Sequence, residues 1–230
     1  PHRVQVQTEV LPLTIPEKLP FMVYNFGPYG FSWAQGKTLR KRYLETCREY
    51  GFSHVITSPP FHALTKAAAG GIDVSAQNSA YLGDEALIRS FGLKWVYSYG
   101  VQAEFDRRIR SQGFKGKLLD EEWISLFTTW ATRWFAALRG EGYAMDEFLV
   151  PIVDEVHDKG AQDVLRTARL LKRIEPGIQI YQDPATWTSF ATIRLLDPVT
   201  DLWIPWESRL AGRDSSKEEL AFYRASGKPF

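Results

Sequence analysis

Phe148-Leu149-Val150-Pro151-Ile152-Val153-Asp154-Glu155 is the stretch on which the reading of this chain turns. Six apolar residues in a row, bounded by charge and short for a helix, predict a strand buried on both faces. The two carboxylates at its tip are costly for stability, because each ionised group loses water and neither can neutralise the other. Their presence therefore points to function. Successive strand residues face opposite ways, but where a strand turns into a loop both can be aimed at one ligand.

Short apolar runs of the same kind recur on either side. Phe21 to Phe26, His54 to Ser58, Leu93 to Tyr99, Ile178 to Gln182 and Leu202 to Ile204 complete a set of six predicted strands. Between them lie amphipathic stretches predicted as helices: Leu39 to Tyr50, Asp84 to Ser90, Asp120 to Arg139, Ala161 to Ile174, Ser189 to Leu196 and Ser216 to Ala225. Asp120 and Glu122 mark one helix start, Gly140 and Gly142 its end, and Pro176-Gly177 separates another helix from the strand that follows.

Apolar strands alternating with helices predict a parallel α/β sheet covered on both sides, either a (β/α)8 TIM-type barrel or a doubly wound open sheet. No Gly-x-Gly-x-x-Gly turn follows the first strand and no phosphate loop occurs, so the barrel is preferred and no cofactor is expected. A barrel of this type usually takes about 250 residues and needs eight strands. Here 230 residues reach Lys228-Pro229-Phe230 where a seventh strand would start. The expectation is an incomplete barrel over residues 17–230, truncated after about six or seven strands. Residues 1–16 read as the tail of, or linker from, a preceding β-rich domain.

Composition excludes several classes of function. Twenty-eight basic residues balance 27 acidic ones with no long run of like charge, which argues against nucleic acid as a partner. No apolar stretch approaches the roughly 20 residues that span a bilayer, so no membrane span is expected. The single cysteine, Cys47, excludes an internal disulfide and a Cys-based zinc site, and its helical setting predicts a buried structural thiol. His54, His62 and His157 belong to separate segments without His-x-x-x-His spacing, so no metal is expected. Gly70-Gly71 reads as a flexible loop over the site.

Active sites of such barrels lie at the carboxyl ends of the strands. The residues just past each run include Asn25; Tyr97, Tyr99 and Gln102; Asp154, Glu155 and His157; Tyr181, Asp183 and Trp187; and Trp203, Trp206 and Glu207. In Ile178-Gln179-Ile180-Tyr181-Gln182-Asp183 the isoleucines suit the helix-facing side, which sends Tyr181 and Asp183 toward the barrel axis. Eight Trp, 10 Tyr and 14 Phe supply surfaces that stack on sugar rings, although most will be core. Aromatics beside two carboxylates describe a glycosidase acting on a glycan. Breaking a glycosidic bond needs an acid for the leaving oxygen and negative charge or a nucleophile for the oxocarbenium ion, roles that suit Glu155 and Asp154.

The chain resembles the substrate-assisted β-N-acetylgalactosaminidases of glycoside hydrolase family 123 and their barrel relatives. The matching residues are Val153-Asp154-Glu155, the helix Asp163 to Ile174 leading to Glu175-Pro176-Gly177-Ile178-Gln179-Ile180-Tyr181-Gln182-Asp183-Pro184, and Asp201-Leu202-Trp203-Ile204-Pro205-Trp206. The resemblance is best from about Phe148 to Trp206. It implies a retaining, exo-acting hydrolase in which the 2-acetamido oxygen of the substrate attacks the anomeric carbon. Asp154 would orient that group and stabilise the oxazolinium-like intermediate, and Glu155 would protonate the leaving group and then activate water. Tyr181 would donate to the acetamido oxygen, and Trp203 or Trp206 would pack on the sugar. Asp183, Tyr97 and Asn25 are further candidate substrate contacts on the rim. Secretion or a periplasmic location is what the resemblance implies. Many relatives continue the acidic pair with Pro, whereas Val156-His157-Asp158 follows here and brings a titrating group beside the pair.

Three other readings stay open. Asp154 and Glu155 could cap a helix and bind an Arg. An ordinary two-carboxylate glycosidase could pair Glu155 with Asp183 or Glu207. A non-catalytic carbohydrate-binding barrel would carry the same strands without turnover.

Overall fold

The structure is a computed structural model that describes residues 24–25, 37–206, 208–209 and 217–230, with only the backbone for Tyr24, Asn25, Lys37 and Thr38. The tail over residues 1–16 and Glu207 lie outside the described residues. In chain order the elements are β1 (Tyr24–Asn25), α1 (Lys37–Glu49), β2 (His54–Thr57), β3 (Thr65–Lys66), β4 (Ile72–Asp73), α2 (Glu85–Ser90), β5 (Lys94–Tyr97), α3 (Val101–Ser111), α4 (Glu121–Gly140), β6 (Phe148–Pro151), α5 (Ala161–Ile174), β7 (Gln179–Gln182), α6 (Phe190–Leu196), β8 (Leu202–Trp203) and α7 (Lys217–Ala225). No helix among the described residues is long and apolar enough to cross a membrane.

Six of these strands form one all-parallel sheet in the order β1-β2-β5-β6-β7-β8, and β3 and β4 form a separate antiparallel hairpin. The order never reverses along the chain. A doubly wound sheet has a point where the order turns back, and the described strands contain none. The fold is thus α/β, wound in one direction.

Two elements depart from the sequence expectation. α3 was not anticipated, although Val101, Phe105 and Ile109 recur every four residues and are all buried. Gly70 and Gly71, expected in a loop over the site, make the turn of the β3–β4 hairpin, both at positive φ (87° and 81°) that glycine adopts without a steric penalty.

Register assigns each side chain to a face. Trp95 pairs with Phe148, Val150 with Ile180, and Thr57 with Tyr97, so these residues share the side that the helices cover. There Trp95 stacks on Phe148 at 5.4 Å, and Tyr97 meets Trp134 of α4 edge-on at 4.9 Å. α4 explains much of the aromatic content. Trp123, Phe127, Trp130 and Trp134 recur along one stripe of the helix, all fully buried. Each such burial stabilises the fold by about 2–3 kcal/mol. Asp120 starts the helix by accepting the Trp123 N–H at 2.8 Å.

α3 is docked against the exit of β6. A Cβ on Gly100 would lie 2.1 Å from Val153 Cα and 2.6 Å from the Ile152 carbonyl oxygen, so only glycine allows this approach. The Gln102 N–H then donates to the Ile152 carbonyl at 2.9 Å. This contact fixes the backbone immediately before Asp154.

A carboxylate cluster as candidate active site

β6 ends at Pro151, and its exit segment runs through Asp154 and Glu155 to Asp158. β7 ends at Gln182, and its exit segment runs from Asp183 to Ser189. The two segments are bonded along their length. The Glu155 N–H donates to Asp183 Oδ1 at 3.2 Å, Trp187 Nε1–H to the Glu155 carbonyl at 3.4 Å, and the Thr188 hydroxyl to the Val156 carbonyl at 2.7 Å. Asp158 accepts from the Ser189 N–H at 2.9 Å and the Thr192 hydroxyl at 2.7 Å, bonds that hold its carboxyl below the usual range.

Glu155 adopts φ 49°, in the left-handed region that non-glycine residues rarely occupy. Tyr99, at the exit of the neighbouring strand β5, has φ 59°. Strained residues of this kind cost about 1–3 kcal/mol each and gather at functional sites. For Glu155 the bonds to Asp183 and Trp187 hold the main chain in place.

The electrostatics set Asp183 apart. Burial, then a hydrogen bond with Asp154 and the charge of Asp154, push its carboxyl up to about 8, against a smaller downward pull from the Glu155 N–H. Beside Asp154 the buried Asp183 carboxyl therefore favours its protonated form. The Glu155 carboxyl is also raised, first by desolvation and then by the charge of Asp154, with His157 opposing. Protonated acid is the form a leaving group needs.

In sequence the chemistry falls on adjacent Asp154 and Glu155. The structure adds Asp183, which meets Asp154 and accepts from the main-chain N–H of Glu155. The signal for Asp183 was its parity with Tyr181 on β7.

The other expected contacts fall in different places. Tyr97 faces the helices, fully buried, and its hydroxyl donates to Glu85 Oε1 at 2.9 Å. Trp203 is also buried; its indole N–H donates to Asp197 Oδ1 at 3.3 Å and its ring packs near Tyr223. Both are core residues in this fold, whereas the sequence alone sets them on the rim. Tyr181 lies on the other face of the sheet, aligned with Pro151, and its hydroxyl donates to the Tyr97 carbonyl at 3.1 Å. Bonding an acetamido oxygen would require it to release that carbonyl. Trp206 is exposed beside Trp187, their rings 5.4 Å apart. Asn25 pairs with Val55 through β1, and its side chain lies outside the described residues.

A groove lined by Arg169, Lys172, Arg173, Pro198, Val199 and Asp201 lies at the opposite end of the sheet, on segments that lead into β7 and β8. Its Lys172 is engaged by Asp201 at 2.6 Å, and its basic residues complement the carboxyl end of α5. Among the described residues no group of three or more His, Cys, Asp or Glu could hold a metal ion. Cys47 is a buried free thiol.

No family model matches the chain, and no curated protein matches it.

Proposed function

We propose that the chain is the catalytic barrel of a glycoside hydrolase. It acts as a retaining, exo-acting β-N-acetylhexosaminidase on terminal N-acetylgalactosamine, with the substrate's own 2-acetamido group as nucleophile. The observation that carries this reading is the meeting of the β6 and β7 exits, where the Glu155 N–H donates to Asp183 Oδ1 at 3.2 Å and the carboxyls of Asp183 and Glu155 are both raised by burial and by Asp154. Asp154 and Asp183, two carboxyls in hydrogen-bond contact, are too close to serve as acid and nucleophile, which stand about 5 Å apart or more in ordinary glycosidases. They act as one unit. Asp183 hands its hydrogen bond to Asp154, and Asp154 in turn holds the acetamido N–H and offsets charge on the cyclised intermediate. Glu155 protonates the leaving oxygen and then takes a proton from water. The one-way strand order supports a barrel wall, and the strand ends are where barrels of this kind place their chemistry.

A second reading, an ordinary pair made by Glu155 and Asp183, draws on the main-chain bond that sets these two residues side by side. A neutral Asp183 is a poor nucleophile, so this version would need a pH above about 8 to be effective. One comparison separates the two. The protein should cleave an aryl β-N-acetylgalactosaminide and leave the matching aryl β-galactoside, which lacks the acetamido group, almost untouched. Equal cleavage of both sinks the substrate-assisted mechanism. Cleavage of neither leaves a non-catalytic carbohydrate-binding barrel.

A further inference from the structure

We infer that Trp187 and Trp206 form the platform for the sugar on the leaving-group side of the scissile bond, an inference that rests on the glycosidase reading above. Among the described tryptophans, Trp95, Trp123, Trp130, Trp134 and Trp203 are almost fully buried, whereas Trp187 and Trp206 keep 43% and 40% of their surface exposed. The two exposed indoles meet as a corner, with centroids 5.4 Å apart and planes at 68°. His157 lies flat on Trp187 at 5.4 Å and 11°. Two large apolar rings kept side by side in water offer a surface on which a flat apolar ligand can stack. The C–H face of a pyranose matches such a corner, because it is apolar while the hydroxyls at its rim stay wet.

The side of the bond follows from what Trp187 is attached to. Its indole N–H donates to the main-chain carbonyl of Glu155, the residue that gives the leaving oxygen its proton. A sugar bonded through that oxygen lies beside Glu155, next to the indole that its main chain holds. The platform is also rigid. Arg209 Nη1 donates to the carbonyls of Ala185 and Thr188, on either side of Trp187, and its guanidinium is held by the Glu219 carboxylate. A surface ordered before binding saves the ordering cost at binding.

The test compares the wild-type protein with Trp187→Ala and Trp206→Ala on two substrates. Methyl β-N-acetylgalactosaminide has no sugar leaving group, and the disaccharide with galactose in place of the methyl group has one. Each substitution should lower kcat/KM on the disaccharide about tenfold more than on the methyl glycoside. Equal losses on the two substrates, or no loss on the disaccharide, overturn the platform. If the wild-type protein cleaves neither, calorimetry with the disaccharide decides. Binding that both substitutions abolish keeps the platform and overturns the glycosidase reading, and binding indifferent to them, or none, overturns the platform. Trp206→Ala touches no hydrogen bond of the Glu155 segment, so its result is independent of any loop disturbance in Trp187→Ala.

Discussion

The Glu155 N–H donates to Asp183 Oδ1 across 3.2 Å, so the candidate acid is tied to the carboxyl of the next strand through its main chain. Its side chain is left free of that bond to meet a substrate. The same bond anchors the positive φ of Glu155 and pulls the Asp183 carboxyl slightly down while burial and Asp154 push it up. Geometry and proton affinity are thus coupled at one point.

Stability should report the proton on Asp183. Its carboxyl is raised from 3.8 to about 8 by burial and Asp154. Between those values the folded chain holds a proton that the unfolded chain has released, so this contribution is full at low pH and is lost as pH rises to about 8. Asp183→Asn removes the dependence. The melting temperature of the variant should gain steadily on that of the wild type as pH rises across that window. A gap that stays constant from pH 4 to pH 8 contradicts the assignment.

Glu155→Gln should lower kcat on a poor leaving group by roughly 10²–10⁴-fold, the usual yield of a positioned acid. The loss should shrink on an aryl glycoside whose phenol leaves without a proton. Asp154→Asn should cripple both substrates, because orienting the acetamido group does not depend on the leaving group. Steady-state rates on a pair of aryl glycosides with phenols of different acidity give the answer.

Tyr97→Phe tests whether Tyr97 belongs to the core. The change removes the donor to Glu85 Oε1 and leaves the Gly83 N–H on the other oxygen of a buried carboxylate that burial already raises. It should cost about 1–3 kcal/mol of stability, read by urea denaturation. KM should not move, since the ring faces α4 and away from the strand exits.

The order of elements was legible because strands buried on both faces leave long apolar runs, and Ala161 to Ile174 matches its observed helix end to end. α3 carries a clear apolar stripe, yet it follows the strand Leu93 to Tyr99 so closely that the residues beyond Gly100 resemble a rim loop in sequence. The pairing of Asp154 with Asp183 was not legible, since it depends on how far two loops 29 positions apart lean together. Parity places Tyr181 and Asp183 on one side of β7, whereas on β5 register with Thr57 sends Tyr97 to the helices. Trp203 failed for the same reason, being aligned with Gln182 and not with Tyr181.

Gly100→Ala should disturb the site from outside it. The added methyl overlaps backbone atoms of Ile152 and Val153, which cannot rotate away. α3 must retreat or β6 must shift just before Asp154. Overpacking of this kind costs about 1–3 kcal/mol. Activity should fall even at temperatures where the variant is fully folded by circular dichroism, and full activity there would show that this contact does not position Asp154.

Arg209 and Glu219 are the most buried ion pair among the described residues, with side chains 9% and 7% exposed and two nitrogen–oxygen contacts of 2.8 Å. Tyr223 adds its hydroxyl to Glu219 at 3.1 Å. Arg209→Met strips Glu219 of this guanidinium and releases the carbonyls of Ala185 and Thr188. Removing one partner of a buried pair costs about 3–5 kcal/mol, because the remaining charge stays in a poor solvent. The melting temperature should drop by roughly 10 °C. Arg209→Met combined with Glu219→Leu should recover much of that loss, since two apolar side chains leave no stranded charge. Disaccharide turnover should stay low in the double variant, because stability returns without the two bonds that hold the Trp187 loop. Recovery of both stability and turnover would show that Arg209 serves the fold alone.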